Sequence, residues 1–228
     1  MCFYRRMSHR GLTQLILRMA LAAALIATPV VVSAHPAAAD PCADVDVVFA
    51  RGTGEPPGIG RVGQAFVDTL VPQLGGRSVS TYGVNYPAGI NFLTTADGAN
   101  DAAAHIAWMT EQCPGTQLVL GGFSQGAAVV SMLAGVPPIG SRIGTFGSAP
   151  PLPPPSADAI RAVAVFGNPG QRFGTPLSST GLFAGRAIDQ CSPGDPICVQ
   201  GGRDRAAHSN YELPPYNERA ASFVAGRL

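Results

Sequence analysis

The chain has 228 residues, 46% of them hydrophobic and only 13% charged, with a formal net charge of +1. That length suits one domain with a sizeable core, and the apolar content excludes a disordered chain. So few charges also argue against a nucleic-acid-binding surface, which needs a basic patch or stripe.

All 15 basic residues are arginines, and Arg5, Arg6, Arg10 and Arg18 precede the apolar run 19–28. A basic start, an apolar stretch and the small-residue end Ala37-Ala38-Ala39 form the pattern of a secretory signal cleaved before Asp40. Val32-Ser33-Ala34 offers an earlier cleavage site. An uncleaved anchor competes on length but has no use for a cleavage pattern. No later segment is apolar enough to span a bilayer. The reading is a signal over 1–39 and a secreted, extracellular or wall-associated domain over 40–228, expected to be a monomer. Without the signal, 11 arginines stand against 14 acidic residues, a formal charge of −3 that offers polyanions no attraction.

Asp44–Ala50 reads as a buried strand that ends at Arg51-Gly52-Thr53-Gly54-Glu55. Val62, Phe66, Leu70, Val71 and Leu74 recur at helical spacing over 62–74, and a strand follows over 78–84. A helix over 96–113 is stopped by Pro114-Gly115. Next come an apolar strand over 117–121 and a helix of small and apolar residues over 125–134. The proline-rich stretch 147–155 reads as a surface connection. A strand over 162–166, a short strand near 187–188 and a last helix over 217–228 complete the chain. Strands alternating with helices predict one α/β domain with a mostly parallel sheet covered on both faces.

Between the strand at 117–121 and the helix at 125–134 stands Gly122-Phe123-Ser124-Gln125-Gly126, a G-x-S-x-G pentapeptide. Such a pattern arises by chance in a chain with 28 glycines, so its weight comes from the strand before it and the helix after it. A sharp strand-to-helix turn holds the serine strained and exposed, with glycines where side chains would collide. The first N–H groups of the helix then lie beside Ser124, where they can stabilise an oxyanion.

A serine hydroxyl needs a histidine to take its proton and an acid to orient that histidine. After the signal's basic segment the histidines are His35, His105 and His208, and only His208 follows the serine, as the order Ser, acid, His requires. His105 lies inside a predicted helix, where a packing or surface role is the plain reading. Asp158, Asp189, Asp195 and Asp204 lie between serine and histidine. Asp195 is favoured, because Cys191-Ser192-Pro193-Gly194-Asp195-Pro196-Ile197-Cys198 makes a stiff loop if its cysteines pair. A stapled turn with no catalytic role is the alternative. Asp204, four residues before His208, is the second choice, since an i, i+4 pair can form without serving catalysis.

With Cys2 in the signal, Cys42, Cys113, Cys191 and Cys198 remain, an even number for an oxidising compartment. Of the three connectivities, Cys42–Cys113 with Cys191–Cys198 is favoured. The second pair closes a short loop, and the first ties the start of the domain to a distant helix end. A metal site is disfavoured by the lack of C-x-x-C and of clustered histidines.

Taken together, Ala50-Arg51-Gly52-Thr53-Gly54-Glu55, Gly122-Phe123-Ser124-Gln125-Gly126, the loop around Asp195 and the position of His208 resemble the cutinase family. The likeness is closest to its secreted bacterial branch and runs from Asp40 to Leu228. It implies a lidless three-layer α/β-hydrolase fold around five parallel strands, with both disulfides named above. It implies Ser124, Asp195 and His208 as catalytic triad, with Thr53 and Gln125 as the oxyanion hole, Thr53 through N–H and hydroxyl and Gln125 through N–H. It implies no metal or organic cofactor. It sets the stretches 86–93 and 173–183 beside the acyl site, although for any one apolar residue there core packing is the plain reading. The function expected is hydrolysis of carboxylic esters, with short- to medium-chain acyl or lipid substrates. A phospholipase or acyltransferase with the same triad, or a secreted lipid-binding protein that has lost activity, are the alternatives.

Overall fold

The structure is a computed structural model that describes residues 42–139 and 146–228. The export signal read over 1–39 lies outside the described residues.

Five strands form one parallel sheet: β1 (Val45–Ala50), β2 (Val79–Gly83), β3 (Gln117–Phe123), β4 (Ile160–Phe166) and β5 (Ala187–Gln190). Their spatial order is β2-β1-β3-β4-β5. Among the described residues six α-helices connect or flank them: α1 (Gly60–Leu70), α2 (Thr95–Gln112), α3 (Gln125–Leu133), α4 (Pro154–Ala159), α5 (Pro169–Arg172) and α6 (Tyr216–Ala225). This is the three-layer α/β-hydrolase arrangement that the family resemblance implies.

Successive side chains of a strand point to opposite faces, so the central strands feed two cores. Val48, Ala50, Leu118 and Leu120 pack with α2 and α3 on one face. Val47, Phe49, Val119 and Phe123 pack with α1 and α6 on the other. Burial on both faces explains why β1 and β3 are continuous apolar runs rather than alternating ones. Phe49, Phe66 and Phe166 meet on the second face with ring centroids 6.0–6.3 Å apart. Phe49 stands opposite Gly121 in the β1–β3 register, and a Cβ there would lie 2.5 Å from its ring. A glycine inside a strand, normally weakening, is required by that aromatic neighbour.

The predicted helix over 62–74 is shorter than its apolar spacing suggests. Regular α-helix ends at Leu70, and Val71–Leu74 continues as a 3₁₀ turn. Pro72 has no N–H to donate to the preceding turn, so the α pattern cannot pass through it. The stretch 147–155 is likewise more than a surface connection. Leu152 is buried, and α4 begins at Pro154, where the fixed φ of proline suits the first helical position. The last helix stops at Ala225, three residues before the expected end.

The connections place the site. The chain leaves β1 toward α1 on one face and leaves β3 toward α3 on the other. The crevice beyond the carboxyl ends of β1 and β3 is therefore a topological switch point, where sheets of this kind bind ligands. Ala50 and Gly122 are partners in the register, so the loops after them start side by side. Among the described residues no helix is long and apolar enough to cross a membrane.

Candidate active site

Ser124 stands between β3 and α3 with φ 56° and ψ −113°, a left-handed conformation that costs a residue other than glycine about 1–3 kcal/mol. The turn is fastened on both sides. Its N–H donates to the Phe166 carbonyl at 2.9 Å, and its carbonyl accepts from the Ala127 and Ala128 N–H groups at 3.0 and 3.2 Å. The flanking glycines are sterically obligatory. A Cβ on Gly126 would lie 1.9 Å from the Ala50 carbonyl oxygen, and one on Gly122 would lie 2.3 Å from the Gly126 oxygen.

His208 is carried by a 3₁₀ turn, Ala207–Ser209. Its Nε2 lies 2.8 Å from Ser124 Oγ and its Nδ1 lies 2.7 Å from Asp195 Oδ2. Asp195 is fully buried. Burial alone would raise its pKa, but hydrogen bonds from His208, Tyr211 and the Ile197 N–H outweigh it and hold the carboxyl below the ordinary range. The disulfide Cys191–Cys198 closes the loop that presents it, and Cys42–Cys113 ties the segment before β1 to the end of α2. Both pairings are the ones expected. Asp204, the second choice, does not reach His208 through its side chain; its carboxylate accepts the Ala206 N–H at 2.9 Å and shapes the local turn. Asp189 holds the N–H groups of Leu177 and Ser178 and the Asn168 amide.

The loop after β1 is fixed by Arg51, a buried residue. Its guanidinium donates to the carbonyls of Glu55 (2.8 Å), Val84 (3.1 Å) and Tyr86 (2.6 Å). Tyr86 returns its hydroxyl proton to the Arg51 carbonyl at 2.5 Å, and burial pushes its pKa up. These bonds present exposed Thr53 opposite Gln125, with Thr53 Oγ1 donating to Gln125 Oε1 at 2.9 Å. Gln125 is the first residue of α3, so its backbone N–H has no partner within the helix and faces outward from the N-terminal end. In this arrangement the Thr53 hydroxyl hydrogen is engaged by the Gln125 side chain.

Sequence reasoning missed Tyr211. It is fully buried, donates its hydroxyl to Asp195 Oδ2 and accepts the Ser192 N–H at 3.0 Å. Burial first and the Asp195 carboxylate second raise its pKa, so it remains a neutral donor. The only signal in the sequence was a tyrosine three residues after the candidate base, indistinguishable from an ordinary core aromatic. His105, expected to have a packing or surface role, lies 2.9 Å from buried Asp46 and stacks on Tyr82 at 3.6 Å. Among the described residues no group of three His, Cys, Asp or Glu side chains is placed to hold a metal ion.

The apolar residues expected beside the acyl site divide. Leu177 and Phe183 are buried in the core, as plain packing predicts. Ile90, Leu93, Phe173 and Leu182 are 88%, 54%, 38% and 44% exposed. The Ala88 carbonyl accepts the Gly54 N–H at 2.7 Å, which sets the stretch with Ile90 and Leu93 against the Thr53 loop.

Known proteins share this arrangement of sequence and fold. Phospholipase Culp4 of Mycobacterium tuberculosis is 50% identical over 226 residues, covering 99% of this chain and 95% of the relative. Carboxylesterase Culp1 of the same organism is 40% identical over 231 residues, covering 97% and 98%. The structure of Trichoderma reesei cutinase in complex with a C11Y4 phosphonate inhibitor matches with a TM-score of 0.65 and 34% identity, covering 82% of this chain and 77% of that one. The profile of the cutinase family matches residues 41–228, and the chain belongs to that family.

Proposed function

We propose that this chain is a serine esterase that hydrolyses carboxylic esters of short- to medium-chain acyl groups or lipids through Ser124, His208 and Asp195. The observation that carries the reading is the hydrogen-bonded line from Ser124 Oγ through His208 to buried Asp195, with spans of 2.8 and 2.7 Å. Membership of the cutinase family and likeness to named carboxylesterases support ester hydrolysis as the reaction.

His208 Nε2 takes the proton of Ser124 as Oγ attacks the ester carbonyl. Asp195 holds Nδ1–H and stabilises the imidazolium that forms. Negative charge develops on the carbonyl oxygen, where the N–H groups of Thr53 and Gln125 stabilise it, each donor contributing about 3–4 kcal/mol in comparable sites. The imidazolium returns its proton to the leaving alcohol. Water, deprotonated by His208, then attacks the acyl-enzyme, and the acid leaves as Ser124 regains its proton. These steps draw on side chains and backbone groups of the chain itself.

Lipid esters are favoured by exposed Ile90 and Leu93, apolar area on the stretch that the Ala88–Gly54 bond sets against the Thr53 loop. The relative named a phospholipase at 50% identity favours a second reading, in which the leaving alcohol is a phospholipid backbone. A secreted monomer is the form proposed, resting on the signal pattern of 1–39 and on two disulfides that suit an oxidising compartment.

A fluorophosphonate probe tests the nucleophile: labelling is expected in the wild type and absent in Ser124→Ala. Labelling that survives this substitution overturns the assignment, and an unlabelled wild type returns the chain to the lipid-binding alternative. A p-nitrophenyl ester series then gives the acyl length. Phospholipid and alcohol-acceptor assays separate hydrolase, phospholipase and acyltransferase.

A further inference from the structure

Arg61, in the first turn of α1, is not needed for the chemistry above, yet it touches both loops that carry the reacting groups. Its guanidinium lies 5.3 Å from the centroid of Phe123, whose ring is 5.0 Å from that of His208. On one side its Nε is 3.7 Å from Glu55 Oε1, which also accepts the Arg61 backbone N–H at 3.0 Å. The other Glu55 oxygen accepts the Gly52 N–H at 2.6 Å, next to Thr53. On the other side Arg61 Nη1 donates to the Ser209 carbonyl at 3.1 Å, directly after His208, and to Glu212 Oε2. The local backbone is built around this carboxylate: a Cβ on Gly60 would lie 2.5 Å from Glu55 Oε2.

We propose that Arg61 is a positioning residue, clamping the oxyanion loop through Glu55 to the base loop through Ser209 and Glu212. The clamp sets the separation between the Thr53 N–H and His208, and it rests on the triad reading given above. A stabilising role does not account for it. The Arg61 side chain is 41% exposed and that of Glu212 33%, and ion pairs so open to water add little to stability. Geometry is where such a pair has leverage, because an error of about 1 Å in a reacting group can cost on the order of a hundredfold in rate. A planar guanidinium suits the task, since it meets a carbonyl and two carboxylates at once while lying over an aromatic face.

The test compares wild type, Arg61→Gln, Glu212→Gln and the double variant on p-nitrophenyl butyrate, with Ser124→Ala as control. Arg61→Gln is expected to lower kcat on the order of tenfold with KM within about twofold and little change in Tm. The double variant should lose no more than Arg61→Gln alone, since both remove one clamp. The pH profiles carry a signature that loosened structure would not produce. Arg61→Gln leaves Glu212 unpaired beside the base loop, favours the His208 imidazolium and moves the acid limb to higher pH. Glu212→Gln leaves the guanidinium less compensated and moves it to lower pH. Asp195 and Tyr211, the titratable groups bonded around the imidazole, are the same in all four proteins. Wild-type kcat in Arg61→Gln, or limbs that move in one direction, overturns the clamp. Glu212→Gln carries the test alone if Arg61→Gln does not fold. Turnover by Ser124→Ala overturns the triad reading instead, whereas an inactive Ser124→Ala beside a fully active Arg61→Gln overturns only the clamp.

Discussion

Thr53 Oγ1 donates to Gln125 Oε1 at 2.9 Å, joining the loop after β1 to the first residue of α3. Gln125 Nε2 in turn donates to Thr95 Oγ1, also at 2.9 Å, at the start of α2. The two N–H groups proposed to hold the oxyanion are therefore kept in place by a bond between their own side chains. Preorganisation of this kind matters because the donors need no rearrangement as charge develops.

Thr53→Val keeps the backbone N–H and the shape but removes the bond to Gln125. Its kcat is expected to fall about fivefold, the rate equivalent of about 1 kcal/mol for one hydrogen bond. Thr53→Ser, which keeps the hydroxyl, should stay near the wild type. Steady-state kinetics on a p-nitrophenyl ester decide it, and a fully active Thr53→Val would show that the N–H needs no such support.

Tyr211→Phe removes a donor to Asp195 and strands the Ser192 N–H, so stability should drop by about 1–3 kcal/mol. The sign of the pH effect follows from the carboxylate. Freed of one hydrogen bond, Asp195 becomes a stronger acceptor for His208 Nδ1–H, favours the imidazolium and moves the acid limb of kcat/KM to higher pH. In the wild type the Asp195 carboxyl is held below its ordinary range, so its stabilisation is present above about pH 4 and is lost as pH falls through the depressed value. Thermal melts across acid pH should therefore show the gap between wild type and Tyr211→Phe closing as the solution is acidified. A gap that widens in acid would refute this account.

Ser124 occupies φ 56°, where glycine is at ease and alanine is strained. Both substitutions abolish the nucleophile, but Ser124→Gly should be more stable than Ser124→Ala by about 1 kcal/mol. Denaturant unfolding of the two proteins measures the strain held at the turn; equal midpoints would mean that the backbone relaxes around alanine.

His105 bonds to Asp46 at the amino-terminal half of β1, away from the carboxyl edge that carries Ser124. His105→Leu leaves buried Asp46 short of a partner and should lower stability by about 1–3 kcal/mol. Activity of the folded protein is expected to stay within about twofold, as for independent sites. Thermal melts and ester kinetics on the same preparation separate the two effects, and a large loss of kcat would link this pair to the site.

The order of strands and helices and the turn at Ser124 were legible in the sequence because they follow from short-range rules. Apolar runs, helical spacing and glycines beside a serine act within a few residues of each other. His208 stood out by order along the chain, and Asp195 by the stiff loop that carries it. Pro72 and Pro154 were equally local signals, and reading them fully would have placed the end of α1 and the start of α4. Tyr211, Arg61 and the Thr53–Gln125 bond left no such mark. Each depends on which segments the parallel sheet brings together at the ends of β1 and β3, and a tyrosine, an arginine or a threonine fits many surroundings equally well. Sequence determined the local conformations that make the candidate residues available. Only tertiary packing decided which distant groups hold Asp195, the oxyanion loop and His208 in register, because hydrogen bonds form through space between residues far apart along the chain.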